Sequence, residues 1–141
     1  VADQPDVPDV TPREAYDALR NDPMAELVDV RTEPELMFVG FPDLAATGKR
    51  LHVAQWQVFP AMGVNPDFVD DLRAQGLGPE KRLYFLCRSG ARSLAAGRAA
   101  LAAGQAASFN VADGFEGPVD ADGHRGSAAG WKASGLPWKQ R

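Results

Sequence analysis

A chain of 141 residues is long enough for one domain with a genuine core and too short to expect two. Its composition, 45% apolar and 24% charged, is that of an ordinary globular protein, and a formal charge of −4 sets nucleic acid and anionic membranes aside as main partners. Any anion bound here must be drawn by local groups, because the overall field opposes it.

In chain order, residues 1–10 hold three Asp and two Pro and read as an extended N-terminal arm. Thr11-Pro12-Arg13-Glu14 supplies a cap, a first-turn proline and the far end of a capping box, so a helix is predicted from there to just before Pro23. Glu26–Val30 is a short apolar run that reads as a buried strand, with Thr32 or Glu33 opening a short helix after it. Residues 40–50 read as loop, and the alternation of Leu51–Trp56 predicts a strand. Asn65-Pro66-Asp67 is a second cap-and-proline start, leading into a helix that buries Phe68, Val69 and Leu72 and ends at Gly76. Leu83–Leu86 is apolar without alternation, as in a strand buried on both faces. A helix is predicted over Ala91–Ala103, stopped by Gly104, then a strand over Ala107–Val111 and a long Gly- and Asp-rich loop over 113–130. Alternation of strands and helices favours a parallel sheet with helices on both faces.

The single cysteine, Cys87, stands where the Leu83–Leu86 strand gives way to a helix, in the run Cys87-Arg88-Ser89-Gly90-Ala91-Arg92-Ser93. One cysteine rules out an internal disulfide, and no Cys/His cluster has zinc-ligand spacing. In a parallel sheet, ligands bind beyond the carboxyl ends of the strands. The first N–H groups of the next helix have no intrahelical acceptor, and Gly90 lets the loop turn several of them toward one point, an anion-binding nest. Helix dipole, backbone donors, Arg88 and Arg92 should all favour the thiolate, which is the nucleophile. A packing role is the ordinary fate of a free cysteine, but six polar, small or cationic neighbours are poor company for it.

Four motifs in order resemble the rhodanese-homology sulfurtransferases. Cys87-Arg88-Ser89-Gly90-Ala91-Arg92 is similar to that family's C-R-x-G-x-(R/T) loop, and Leu27-Val28-Asp29-Val30-Arg31 with Glu35 to its L-I-D-V-R strand motif. Asn110-Val111 with Asp113-Gly114-Phe115 resembles its later strand and glycine turn, and Trp131, Gly135 and Pro137 its closing W-x-x-x-G-x-P. The resemblance implies a doubly wound α/β sheet of about five strands with helices on both faces, forming a single domain over residues 11–141. It implies that Cys87 takes a sulfane sulfur as a persulfide and passes it on, without metal or organic cofactor. Residues Arg88, Ser89, Gly90, Ala91, Arg92 and Ser93 would form the substrate cradle, with the two arginines binding an anionic donor. A cationic loop of this kind goes in the family with thiosulfate-type donors. With no second cysteine to resolve the persulfide, the acceptor is cyanide, a small thiol or a protein thiol.

Two other readings are weighed against this one. Cysteine-dependent phosphatases and some arsenate reductases place five residues between Cys and Arg; here Ser93 stands at that arginine's position, so the cradle is one residue short. Rhodanese-like modules that bind anions or partners without turnover usually lack the cysteine. The chain also departs from the family: Gly48–Ala54 matches its G-H-I-P-G-A stretch only in outline, and 117–130 looks like an insertion. That loop either shapes the pocket, with His124 and Arg125 as its polar contributors, or is a solvated surface loop. Asp29 and Arg31 are expected to form an ion-pair network with Glu35 or the backbone, and His52 to be a buried structural histidine. Oligomeric state is not legible. A free thiol fits the cytoplasm, while the initial Val keeps a removed signal peptide as a second reading.

Overall fold

A computed structural model of the chain describes residues 6–140. Of the arm expected over residues 1–10, residues 1–5 lie outside the described residues, and Asp9–Val10 join the sheet as a strand. Five parallel strands make the central sheet: β1 (Asp9–Val10), β2 (Ala25–Asp29), β4 (His52–Val53), β7 (Arg82–Leu86) and β8 (Ala107–Val111), in the spatial order β1-β8-β7-β2-β4. The chain steps outward from β2 to β4 and then reverses to β7 and β8 on the other side of β2, so the sheet is wound in both directions and receives helices on both faces.

Side-chain alternation assigns the faces. Leu27, Tyr84 and Leu86 point to the layer of α1 (Pro12–Asn21), where Ala15, Tyr16 and Leu19 meet Phe115, Trp131 and Leu136. Val28, Val30, Leu83, Phe85 and Cys87 point the other way, against α3 (Phe68–Ala74) and α4 (Ala91–Ala102). Strands covered on both faces have no polar side to show, which is why Leu83–Leu86 lacks alternation in the sequence. Trp131 is wholly buried, sits edge-on to Tyr16 at 5.9 Å between ring centroids, and donates its indole N–H to Pro137 O at 2.8 Å.

Helix α1 starts as its sequence dictates. Glu14 N donates to Thr11 Oγ1 and Thr11 N to a Glu14 carboxylate oxygen, both at 3.0 Å, closing the capping box. A second box, Thr32 with Glu35, opens α2 (Glu33–Phe38). In α3 the expectation is displaced: Asn65 Oδ1 accepts from Asp67 N at 3.0 Å, so Pro66 lies in the turn before the helix and not inside it.

Three segments depart from the sequence reading. The strand expected over Leu51–Trp56 is confined to β4, because Ala54 and Trp56 still donate to Asp29 O and Val30 O while the run bends out of the ladder. Residues 40–50, expected to be loop throughout, contain β3 (Phe41–Pro42) and a 3-10 turn at Ala45–Thr47. β3 pairs antiparallel with β9 (Trp138–Lys139), and β5 (Gln57–Val58) with β6 (Gly63–Val64) makes a small hairpin. No helix among the described residues is long and apolar enough to cross a membrane.

Candidate active site

β7 delivers Cys87 one residue beyond the carboxyl end of the sheet, and Val30 N still pairs with Leu86 O at 2.9 Å beside it. The chain turns through Arg88–Gly90 and enters α4 with Gly90 as its cap at φ +117°. A Cβ at Gly90 would meet nothing closer than 3.7 Å, so glycine is required by backbone angle and not by space. The turn aims Gly90 N–H at Cys87 Sγ, 3.1 Å away. The N–H groups of Arg88, Ser89, Ala91, Arg92 and Ser93 have no acceptor among the described residues, as befits the open first turn of a helix. A sulfur that accepts one backbone N–H at the open first turn of a helix suits a negative charge on that sulfur or on an atom bonded to it.

Below the sulfur lies a polar cluster. Ser93 Oγ is 3.2 Å from Cys87 Sγ, 3.2 Å from Gly90 O and 2.5 Å from Asn110 Oδ1. Asn110 Nδ2 in turn donates to Asp9 Oδ1 at 2.9 Å, across the β1–β8 pairing. Cys87 is 1% exposed and Ser93 fully buried, so apart from the Gly90 N–H the sulfur faces the Ser93 hydroxyl.

A second segment braces the loop from behind. Phe115 N donates to Cys87 O at 2.8 Å, and Glu116 N and Gly117 N to Arg88 O at 3.0 and 3.1 Å. This close backbone approach is made at Gly114, φ +63°. Segment 117–130, read from the sequence as an insertion, grows directly from the brace and is knotted on Asp120. The Asp120 carboxylate accepts from Ser127 Oγ at 2.5 Å and from the N–H groups of Asp122 and His124 at 2.9 Å. The Ser127 hydroxyl and these N–H groups hold its pKa below the usual carboxylate range. Arg125 spends its Nη1 on Gly117 O at 2.7 Å, within its own loop, and His124 is exposed.

The two loop arginines part company. Arg88 is exposed, and its side chain has no hydrogen bond or ion pair among the described residues. Arg92 forks onto Glu35, Nη1 to Oε1 at 2.7 Å and Nη2 to Oε2 at 2.9 Å, and so ties α4 to α2. Asp29 and Arg31 were expected to pair together with Glu35 or the backbone; the backbone is the partner found, with Arg31 on Asp29 and Gly40 O, while Glu35 serves Arg92 and Thr32.

Burial pushes the Glu35 carboxyl up, but the Arg92 hydrogen bonds and charge, with the Thr32 bonds, more than reverse this and hold it at about 2. A depressed carboxyl contributes stability that is complete above its ordinary value of 4.5 and is lost as pH falls through the folded value. Glu35→Gln is therefore expected to lower stability by about 1–2 kcal/mol at pH 7, after allowing for solvent screening. In urea titrations from pH 5 to pH 2.5 the variant should lose less further stability than the parent; parallel curves would show that the pair contributes nothing.

Asn110 and Asp9 were not singled out by sequence reasoning for any role at the sulfur. The available signal was a polar side chain at the carboxyl end of an otherwise buried strand. His52, expected to be structural, is 7% exposed and shares Nε2 with Glu26 Oε1 at 3.1 Å. Among the described residues no group of three or more His, Cys, Asp or Glu side chains is placed to hold a metal ion.

Comparison with known proteins gives a consistent picture. The model of the rhodanese-like domain matches residues 11–121. The chain is 36% identical to the RP600 homolog of Rickettsia rickettsii over 134 residues, spanning 94% of this chain and 98% of that one. Among solved structures, Rv0390 from M. tuberculosis superposes with a TM-score of 0.86 at 42% identity, covering 97% of this chain and 100% of that chain. A polysulfide-sulfur transferase homodimer from Wolinella succinogenes superposes with a TM-score of 0.65 at 25% identity, covering 96% and 80%.

Proposed function

Because the chain belongs to the rhodanese-like family, we propose that it is a sulfurtransferase that carries a sulfane sulfur on Cys87. The observation that bears most of the weight is Gly90 N–H on Cys87 Sγ, in a helix-start loop whose other backbone donors have no acceptor among the described residues. In the loading step the Cys87 thiolate attacks the outer sulfur of the donor. An S–S bond forms to Cys87 Sγ, the donor's own S–S bond breaks, and its electron pair leaves on sulfite (from thiosulfate) or on the shortened polysulfide. The persulfide's charge then sits on the outer sulfur, where the free N–H groups of residues 88–93 can receive it. An acceptor thiolate or cyanide attacks that outer sulfur and returns the electron pair to Cys87.

With Arg92 committed to Glu35, recognition of an anionic donor falls to Arg88 and the backbone donors. A small dianion suits a loop with one exposed, unpaired cation. Thiosulfate and short polysulfides both answer that description, and the Wolinella neighbour is a polysulfide-sulfur transferase. Phosphoryl chemistry is disfavoured by Ser93, which stands at the position of the phosphatases' arginine and turns its hydroxyl inward to Cys87 and Asn110.

The test is the intact mass of the chain after brief incubation with thiosulfate or with polysulfide, beside Cys87→Ser. One added sulfur in the parent, absent from the variant and released by cyanide as thiocyanate, is the expected result. No addition from either donor, or equal addition to the variant, would overturn the proposal.

A further inference from the structure

The hydroxyl of Ser93 has one proton and three neighbours that want it. Gly90 O and Asn110 Oδ1 can only accept, and Cys87 Sγ accepts when it is a thiolate but donates when it is a thiol. The 2.5 Å contact to Asn110 Oδ1 is much the shortest of the three, so the proton belongs to that bond and an oxygen lone pair faces the sulfur at 3.2 Å. Asn110 cannot reverse this by turning its amide over. Its Nδ2 is held at 2.9 Å by the Asp9 carboxylate, which only accepts, so Oδ1 must face Ser93.

We propose that Asn110, oriented by Asp9, is a positioning residue that keeps the Ser93 proton off Cys87 Sγ, and so favours the thiol and the persulfide over the bare thiolate. A thiol donates S–H into the waiting lone pair of Ser93. A bare thiolate meets that lone pair without a proton between them. Beyond the Gly90 N–H it gains a further hydrogen bond only if the hydroxyl swings over, which leaves Asn110 Oδ1 buried without a donor. In the persulfide the inner sulfur is uncharged and the charge lies one atom farther out, beyond reach of the clash. The persulfide half of this inference rests on the sulfur-carrier reading above; the thiol half rests on the hydrogen bonds alone. The device would keep the resting cysteine in its less oxidisable form between turnovers.

The charged groups around this chain of bonds are Arg92 on α4 with its partner Glu35 on α2, Asp29 on β2, Arg88 in the loop and Asp9 on β1. Asn110→Ala removes none of these charges but takes a hydrogen bond from Asp9, so the proton's position is read from the difference between the Ser93 and Ser93→Ala backgrounds. The experiment is the alkylation rate of the full chain by iodoacetamide at neutral pH, read with the thiolate's ultraviolet absorbance.

Asn110→Ala frees the hydroxyl for the sulfur and should raise both, the rate by about three- to tenfold, the worth of one neutral hydrogen bond. In a Ser93→Ala background the same substitution should change neither. A merely structural role for Asn110 predicts an equal or lower rate, and that result in a folded variant overturns the proposal. Should Asn110→Ala fail to fold, Asp9→Ala lets the amide turn over and is expected to raise the rate more with Ser93 present than without it; equal effects in the two backgrounds would sink the idea. No sulfur donor is used, so a chain that accepts no sulfur yet shows the rate increase fails only as a sulfur carrier. One that loads sulfur without the increase fails only here.

Discussion

Arg31→Met is expected to be among the most damaging single substitutions in the chain, removing about 3–5 kcal/mol of stability. Arg31 and Asp29 are both wholly buried. The guanidinium holds the carboxylate through Nε to Oδ1 at 2.9 Å and Nη2 to Oδ2 at 2.7 Å, reaches Gly40 O at 2.8 Å, and lies 4.4 Å over the Phe115 ring. Its Nη1 has no partner, so the pair is not fully satisfied and its net value is modest. Removing one member is a different matter, because it strands the carboxylate in a place with no water. The cycle that checks this adds Asp29→Asn. Alone, that change should be destabilising; on top of Arg31→Met it should restore stability, since a neutral amide still accepts from Arg31 N as Asp29 Oδ1 does at 3.1 Å. Urea midpoints for the four proteins give the answer. A loss below about 1 kcal/mol for Arg31→Met would mean that the buried charge is compensated from elsewhere.

Gly114→Ala should damage stability and activity together. A Cβ there would collide with Cys87 O and come within 2.5 Å of Arg88 C and 2.6 Å of Arg88 O, all backbone atoms of the cysteine loop. Backbone cannot swing aside as a side chain does, and the φ of +63° adds its own penalty. Together these are expected to remove about 2–4 kcal/mol. The loop must retreat, carrying Gly90 N–H away from the sulfur, so sulfur loading should fall at least about tenfold, the effect of one misplaced donor. Gly123→Ala is the control. Gly123 has a φ of +81° in the inserted loop but nothing within 4 Å, so it bears the strain without the collision. Thermal unfolding and loading rate, measured for both variants, separate the two causes. Equal losses would show that the close approach at Gly114 does not matter.

What the sequence made legible follows from the range of the interactions involved. Helix α1 was readable because cap, proline and Glu14 lie within four residues of one another. β7 was readable because burial on both faces leaves the unbroken apolar run Leu83–Leu86, whereas β8 shows Ala107, Phe109 and Val111 alternating with Ser108 and Asn110. Gly90 and the open helix start behind Cys87 were readable for the same local reason. The partnership of Arg92 with Glu35 was not, because the two lie 57 residues apart and their meeting depends on how α2 lies across α4. The same holds for Asn110 and Asp9, 101 residues apart and joined only by a parallel pairing of two-residue length. Strands β3, β5, β6 and β9 are each two residues long, too short for any alternation to declare itself.

The clasp of β3 with β9 sets the order in which this molecule can be completed. Trp138–Lys139 lie against Phe41–Pro42, Asp43 N donates to Pro137 O at 3.0 Å, and Trp131 fills the α1 face of the core. None of these contacts exists until residues 131–139 have been synthesised. The brace behind the cysteine loop, at Phe115–Gly117, comes almost 30 residues after Cys87 and must wait as well. A fold closed across so many residues has distant pairings to make, and such pairings form slowly. Until then the Cys87 loop lacks the backbone bonds that shape it, which are completed only with Phe115–Gly117.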